Sequence, residues 1–271
     1  MKTSEIINLI ESHAPTVFAA SWDNSGVQVA GREREVAKLA VALDPLPETI
    51  ASAIESGARF VLTHHPLTLE PRLPNKLDGF HEVLRMLLST ETTLFSSHTS
   101  LDVQIAGPVS WPARDLGLEN IKVLDETARA GDGEILGFGC IGSLSSAMSF
   151  DDFAGKVAEL SGCSVLSVCG PLPEKVATVA MCPGSGSSMM DEAFKAGADV
   201  YITGDVKYHP AQEAGGAVID VGHFSLEEEM MRRFALVLRG ELEPNGVDVQ
   251  FFKGHDPFAY YVDGIRHKSL S

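Results

Sequence analysis

The stretch LAVALDPLPETIASAIESGARFVLTHHP, residues 39–66, decides the fold of this chain. Its two apolar ends have the length of buried strands, and the part between them has the composition of a helix. Gly57 stands where a helix end favours a residue with positive φ, so the helix is expected to end just before the second strand. This alternation predicts an α/β fold in which right-handed crossovers join parallel strands.

The same order of elements recurs 140 residues later in the chain. Residues 179–205, VAMCPGSGSSMMDEAFKAGADVYITGD, predict a strand, a glycine-rich turn, a helix and a strand. We therefore predict two similar α/β domains from an internal duplication, residues 1–125 and 126–271, with the polar segment 126–133 as the linker. The aligned identities are Ala53 with Ala193, Gly57 with Gly197, Ala58 with Ala198, and Thr63 with Thr203.

Composition and charge exclude several classes of function. The formal net charge of −16 disfavours direct nucleic-acid binding, which depends on Lys and Arg displacing counterions from phosphates. No apolar run approaches the roughly 18 residues that a membrane span needs. The four cysteines form no Cys-x-x-Cys pair, and the N-terminus lacks the pattern of an export signal. We expect a cytoplasmic protein with reduced cysteines and no membrane insertion.

Two further segments each end a predicted strand with a histidine and a carboxylate. LFSSHTSLD, residues 94–102, and IDVGHFSLE, residues 219–227, both carry an acidic residue four positions after the histidine. Functional groups of α/β proteins collect at the carboxyl ends of the strands. The residues expected there are His64, His98, Gly204 and His223.

Imidazole and carboxylate groups, without nearby thiolates, are ligands suited to Zn, Mn, Fe or Co. His64 and His65 can both be ligands only if their strand has ended, because neighbouring strand residues point to opposite faces. Pro66 supplies that end, so the two imidazoles can diverge toward two ions. Two dications need oxygen ligands between them, and Glu227 is the bridging candidate. Taken singly, each residue also fits an ordinary core or surface position, and Glu227 fits a solvated helix start.

Five ordered blocks of this chain form a recognisable series: SWDNSGVQV, THHPL, SSHTSLD, YITGDVKYH and GHFSLEE. They resemble the signatures of the Nif-three-like (YbgI-type) proteins, often named GTP cyclohydrolase I type II homologues. The resemblance implies two similar α/β domains with a dinuclear metal centre between them, and a toroidal homohexamer. The ligands that it implies are His64, His65, Asp102, His223 and Glu227.

The chain departs from the family pattern near these blocks. Phe224 stands where relatives often have His or Tyr, and VQIAGPVSW follows Asp102 where relatives have an Asn. These changes concern the pocket wall more than the ligands, so they bear on the substrate. His98 is outside the ligand set of the family, and we expect it to support the ligands from behind.

Other segments have weaker functional interpretations. Asp205 and His209 are candidates for proton transfer, and Lys207 for contact with an anionic substrate. The loop Gly184–Ser188 could hold phosphate, but a tight turn explains it better. The WDNSG segment, residues 22–26, is either a rim of a polar pocket or a turn before a strand.

The sequence thus predicts a protein that binds two divalent metal ions (Zn, Fe or Mn) and acts as a metal-dependent hydrolase on a small molecule. Ring opening of a purine nucleotide, as in a GTP cyclohydrolase, and phosphoester or amide hydrolysis are all compatible with such a centre. The alternative is a non-enzymatic regulatory or interaction protein with a structural or metal-sensing site. A structural site has every coordination position filled by protein, whereas a catalytic site keeps a position for water.

Overall fold

The computed structural model of the protein describes residues 1–262 and 265–267. It has a mixed α/β architecture with two main sheets, which confirms the predicted fold class. The helices are α1 (Thr3–His13), α2 (Pro47–Glu55), α3 (Gly79–Thr90), α4 (Thr99–Asp102), α5 (Trp111–Asp115), α6 (Phe150–Ser161), α7 (Met190–Lys195), α8 (Tyr208–Glu213) and α9 (Phe224–Leu242). The strands are β1 (Gly26–Val29), β2 (Lys38–Ala42), β3 (Phe60–Thr63), β4 (Thr93–Ser96), β5 (Leu118–Arg129), β6 (Ile135–Ser149), β7 (Ser167–Cys169), β8 (Lys175–Met181), β9 (Val200–Thr203), β10 (Ala217–Asp220), β11 (Asp248–Phe251), β12 (Tyr260–Val262) and β13 (Ile265–His267).

The chain divides into two compact units, each built from two stretches of sequence. Unit 1 is Met1–Gln104 with Glu228–Gly254, and unit 2 is Ile105–Glu227 with the described residues from His255 onward. This division differs from the predicted domains 1–125 and 126–271. The later stretch belongs to unit 1 because β11 pairs with β2 and so returns to the first sheet.

The predicted linker at residues 126–133 is instead part of a long hairpin. Strand β5 continues to Arg129, and β6 begins at Ile135 and pairs antiparallel with it. Gly133 has a φ of 91° and donates its N–H to Ala130 O in the turn between them. The polar residues of this segment lie at the exposed end of a hairpin.

The sheet of unit 1 has the strand order β1-β4-β3-β2-β11. Strands β4, β3, β2 and β11 are parallel, and β1 is antiparallel to β4. Strands β3 and β4 are buried at every position, as expected for parallel strands covered on both faces. Thr63 pairs with Ala42 and with Ser96, so β2, β3 and β4 end at the same level. Residues that follow these strands are therefore neighbours.

The sheet of unit 2 has the order β5-β6-β8-β9-β10-β7. Its strands β8, β9 and β10 are parallel, and β7 is antiparallel to β10. Each unit thus contains three adjacent parallel strands, β2–β4 in unit 1 and β8–β10 in unit 2. An antiparallel strand lies beside the third of them in both units, in agreement with the predicted repeat. Ser149 accepts a hydrogen bond from Asp152 N at the start of α6, as a helix cap does.

Within residues 1–262 and 265–267, no helix combines the length and the apolar character needed to cross a bilayer. The longest, α9, carries charged residues along its length, from Glu227 to Arg239.

Candidate metal centre

Three histidines lie together at the carboxyl edge of the sheet in unit 1, and we call them the histidine cluster: His64, His65 and His98. The first two follow β3 directly, and His98 lies just beyond the end of β4. One ring nitrogen from each lies within 4.8 Å of the others. The ring centroids of His64 and His98 are 5.1 Å apart. Because β3 and β4 end at the same level, the side chains that follow them lie close together, as the sequence predicts.

Hydrogen bonds fix the proton positions of the first two rings. Nδ1 of His64 lies 2.8 Å from the backbone carbonyl of Ser97, and Nδ1 of His65 lies 2.6 Å from Oδ1 of Asp44. A carbonyl oxygen or an ionised carboxylate can only accept, so Nδ1 carries the hydrogen in each ring. The lone pair of each neutral imidazole is then on Nε2, which is the atom that a metal ion requires.

His98 is held in the same way by Asp23, whose side chain is fully buried. Oδ1 of Asp23 lies 2.7 Å from Nδ1 of His98, and Oδ2 accepts from the hydroxyls of Ser25 at 2.6 Å and Thr99 at 2.5 Å. Burial would raise the pKa of Asp23, but the hydrogen bonds from His98, Ser25 and Thr99 outweigh it and hold that pKa far below its ordinary value. Asp23 is therefore an anion that orients His98. The WDNSG segment is a turn whose carboxylate reaches the cluster.

Asp102 lies beside this cluster in the same unit. It ends the short helix α4, in which its N–H donates to His98 O at 3.2 Å. Its Oδ1 is 3.6 Å from Nε2 of His64. The four-residue spacing from His98 thus directs the Asp102 carboxylate toward the ring of His64.

In unit 2, His223 and Glu227 form the expected pair. Helix α9 begins at Phe224, so the two residues are one turn apart, and Nε2 of His223 is 3.1 Å from Oε2 of Glu227. Nδ1 of His223 lies 2.6 Å from Oδ2 of Asp205. Asp205, a candidate for proton transfer in the sequence, contacts His223 as an orienting acceptor.

The loop after β8 packs against this pair. Gly184 has a φ of 68°, and a β carbon added there would lie 2.1 Å from Oε1 of Glu227. Gly186 N donates to the hydroxyl of Thr203 at 3.0 Å, and the hydroxyl of Tyr201 donates to Gly186 O at 2.7 Å. These contacts favour the prediction of a tight turn over a phosphate-binding loop. They also position the backbone beside the Glu227 carboxylate.

A cavity of about 280 Å³ lies within unit 2 next to His223. Its wall combines carboxylates with aromatic rings, and it includes Phe224, the first residue of α9. The charge of the carboxylates favours a ligand that offers N–H groups over one that offers phosphate oxygens. Lining residues include Asp205, Asp220, Asp256, Phe224, Phe258 and Tyr260.

The remaining candidates lie on the surface of α8 and before it. His209 is exposed, and its ring contacts that of Tyr208 with centroids 5.4 Å apart. Lys207 is exposed at the N-cap of α8. In the described part of the chain, His209 belongs to none of the groups of His, Cys, Asp and Glu side chains that lie close enough together to hold a metal ion.

Sequence patterns did not predict two contacts of the site, that of Asp44 with His65 and that of Gly184 with Glu227. Asp44 follows β2, whose end is level with that of β3, so a carboxylate at this strand end could have been paired with His65. Gly184 stands at the position of Asp44 in the repeat, where no side chain fits beside Glu227. The 140-residue offset between the two copies relates positions 44 and 184, and it is the sequence signal that could have identified both.

Comparison with known proteins finds relatives that match along nearly the whole chain. A Clostridium perfringens protein named GTP cyclohydrolase 1 type 2 homolog is 31% identical over 269 residues, which cover 96% of this chain and 100% of that protein. A protein of the same name from Methanocaldococcus jannaschii is 31% identical over 256 residues, covering 93% of this chain and all of the relative.

The fold is also similar to a solved structure. The crystal structure of a Bacillus cereus protein related to NIF3 superposes with a TM-score of 0.89 at 24% identity, covering 96% of this chain and 99% of the other. The family described as Duf34/NIF3 (NGG1p interacting factor 3) matches residues 1–257. This chain therefore belongs to the DUF34/NIF3 family.

Proposed function

We propose that this protein binds two divalent metal ions and acts as a metal-dependent hydrolase. The proposed ligands are His64, His65, Asp102, His223 and Glu227. The main support for this proposal is that Nδ1 of each proposed ligand histidine is hydrogen-bonded to an acceptor. This bond favours the tautomer with the hydrogen on Nδ1, which leaves Nε2 to bind a metal ion. The curated relatives of the same family bear the name of a cyclohydrolase homologue, which supports hydrolysis as the reaction class.

The donor set fits divalent ions of the zinc, iron and manganese group. It consists of imidazole nitrogens and carboxylate oxygens, which these ions accept. Each carboxylate lies beside a ligand imidazole in its own unit, Asp102 beside His64 and Glu227 beside His223. Both contacts join Nε2 to a carboxylate oxygen, as a shared cation would require.

Bound ions of this kind lower the pKa of a coordinated water and polarise a substrate oxygen or ring carbon. The chain itself supplies the orientation. Asp44 and Asp205 hold the rings of His65 and His223, and the backbone at Gly184 limits the movement of the Glu227 carboxylate. Because Glu227 is buried, its charge is poorly solvated and is well suited to bridging two cations.

The cavity beside His223 is proposed to receive the organic part of the substrate. Its volume suits a group of the size of a heterocyclic ring, and Phe258 and Tyr260 provide aromatic surface. Asp256 provides an acceptor for ring N–H groups. A flat nitrogen heterocycle, such as the base of a nucleotide, is the substrate class that these groups favour.

Metal content and turnover test the proposal together. Protein stripped with a chelator and reloaded with Zn, Mn or Fe should retain two ions per chain by elemental analysis. Glu227→Gln should lower that number or weaken binding at least about a hundredfold, beyond the effect of losing an outer hydrogen bond. Glu229→Gln is the matched control on the same helix, because Glu229 pairs with Arg232 and Arg233 instead. Failure of the wild type to retain any ion contradicts the proposal.

Hydrolysis is then measured with GTP, other nucleotides and model phosphoesters, with the loaded protein and with Glu227→Gln. Turnover that depends on metal and on Glu227 supports an enzyme. Metal binding without turnover, combined with a change in partner binding in Glu227→Gln, points to the regulatory alternative. We also propose a homohexamer on the family resemblance, to be checked by light scattering of the purified protein.

A further inference from the structure

We infer that His98 is itself a metal ligand, which binds through Nε2 the ion held by His64 and Asp102. This inference rests on the proposed metal binding and adds a sixth residue to its five ligands. It replaces the expectation that His98 only supports the ligands from behind. The cation class is a borderline divalent ion such as zinc, iron or cobalt, which favours imidazole over an all-oxygen site.

The proton position of His98 provides the first step. Its Nδ1 lies 2.7 Å from Asp23, a buried carboxylate that four other groups also bind as donors: the hydroxyls of Ser25 and Thr99 and the backbone N–H groups of Asn24 and Thr99. An anion with this many donors accepts from Nδ1, so the lone pair of His98 is on Nε2.

The position of the ring provides the second step. One ring nitrogen of each histidine lies within 4.8 Å of the others. Nδ1 of all three rings is bound to an acceptor outside the cluster, so Nε2 is the atom left in each ring to bind an ion. Three imidazole rings gathered around one small volume form a favourable environment for a cation. His98 is closer to His64 than to His65, with centroid distances of 5.1 and 5.6 Å.

The rigidity of His98 provides the third step. Its backbone N–H donates to the hydroxyl of Ser25 at 3.2 Å, and its ring makes a T-shaped contact with the ring of Trp22, with centroids 5.9 Å apart. Rotation of the ring would leave the Asp23 charge without its imidazole donor in a buried site, which is costly. The same carboxylate-to-Nδ1 arrangement holds His65 through Asp44 and His223 through Asp205. His98 is therefore built as the proposed ligands are.

The experiment uses the full-length protein loaded with zinc and the variants His98→Asn and His98→Gln. The amide nitrogen of Asn can replace Nδ1 and keep the bond to Asp23, while nothing replaces Nε2. Gln extends an amide toward the Nε2 position instead. His81→Ala is the control, because His81 lies in α3 and its contact with Asp78 is through the backbone N–H. Zinc affinity is measured by competition with a chromophoric chelator, and the zinc positions by anomalous scattering.

We expect a zinc peak within about 2.0–2.3 Å of His98 Nε2 in the wild type. We expect His98→Asn to bind one zinc at least about tenfold more weakly while its unfolding transition stays cooperative, and His98→Gln to recover part of the loss. Zinc bound at the five proposed ligands with His98 Nε2 beyond about 3 Å, and unchanged affinity in His98→Asn, overturns the inference alone. Wild-type protein that retains none of zinc, manganese and iron overturns the proposed function and the inference with it.

Discussion

Gly184 lies so close to Glu227 that a β carbon at position 184 would stand 2.1 Å from the carboxylate oxygen Oε1. The same added atom would lie 3.7 Å from Nε2 of His223. The backbone of this loop thus forms one wall of the proposed ligand pair. A glycine is needed there both for the left-handed φ of 68° and for the space that the carboxylate occupies.

Gly184→Ala should therefore weaken metal binding at least about tenfold, since Glu227 or the loop must move. Gly117→Ala is the matched control, because Gly117 has a similar φ of 72° and a β carbon there would meet no atom within 4 Å. Both variants should lose about 1–2 kcal/mol of unfolding free energy from the left-handed backbone. Isothermal titration with Mn²⁺ or Zn²⁺ measures the metal affinity of each variant and so distinguishes Gly184→Ala from Gly117→Ala. Equal metal affinity in the two variants would show that the Gly184 contact has no bearing on the site.

Asp44→Asn and Asp205→Asn should each weaken metal binding by about ten- to a hundredfold without removing a proposed ligand. An amide can present its NH₂ group to Nδ1 and so favour the wrong tautomer of His65 or His223. The affinity of the loaded protein for zinc checks this, with the exposed Asp191→Asn as control. Wild-type affinity in both variants would refute the orienting role.

Glu228 should make the metal-free protein less stable as the pH rises from about 4.5 to about 7. Burial raises the pKa of Glu228 to about 7, the N–H of Gly254 opposes this, and the charge of Asp44 adds to it. The folded state then holds a proton that the unfolded chain releases at lower pH, so the unfolding free energy falls across that interval. Glu228 should lower the unfolding free energy by about 3 kcal/mol in total across this interval.

Urea unfolding at pH 5, 6, 7 and 8 checks this dependence in chelator-treated protein. Glu228→Gln should flatten the profile relative to the wild type. Glu229→Gln should leave the profile unchanged, because hydrogen bonds to Arg232 and Arg233 lower the pKa of Glu229 despite its partial burial. Parallel profiles for wild type and Glu228→Gln would contradict the assignment.

Tyr201→Phe should destabilise unit 2 by about 1–3 kcal/mol, the cost of a buried carbonyl that loses its donor. Tyr201 is fully buried, and its hydroxyl donates to Gly186 O at 2.7 Å in the loop that carries Gly184. Thermal unfolding of Tyr201→Phe beside Tyr208→Phe, an exposed tyrosine, measures the difference. If the two variants unfold at the same temperature, the loop is held by its other contacts.

Local patterns were sufficient to predict the elements that carry the site. Residues 39–66 form β2, α2 and β3 as expected, and their counterparts in the second copy form β8, α7 and β9. Strands buried on both faces require continuous apolar runs, which are visible in a single sequence. The positions of His64 and His223 at strand ends followed from the same patterns.

The remaining features depend on pairing between distant residues, which local patterns do not specify. The return of β11 to β2 joins residue 248 to residue 38, and nothing near either position signals the partner. The bonds of Asp44 to His65 and of Asp23 to His98 likewise arise only when the strands are aligned. The composition of residues 126–133 does not distinguish a hairpin end from a linker, because both consist of the same polar residue types.

The late arrival of β11 has a consequence for synthesis of the chain. Strand β2 is complete early, but Asp248–Phe251, which cover its outer edge, leave the ribosome only after the whole of Ile105–Glu227. At bacterial or eukaryotic elongation rates this delay lasts on the order of ten seconds. During that time the nascent sheet exposes unpaired amides and carbonyls that can pair with a neighbouring nascent chain on the same messenger. Crowded polysomes and slow codons in this region should therefore favour aggregation, and chaperones that shield strand edges should improve the yield.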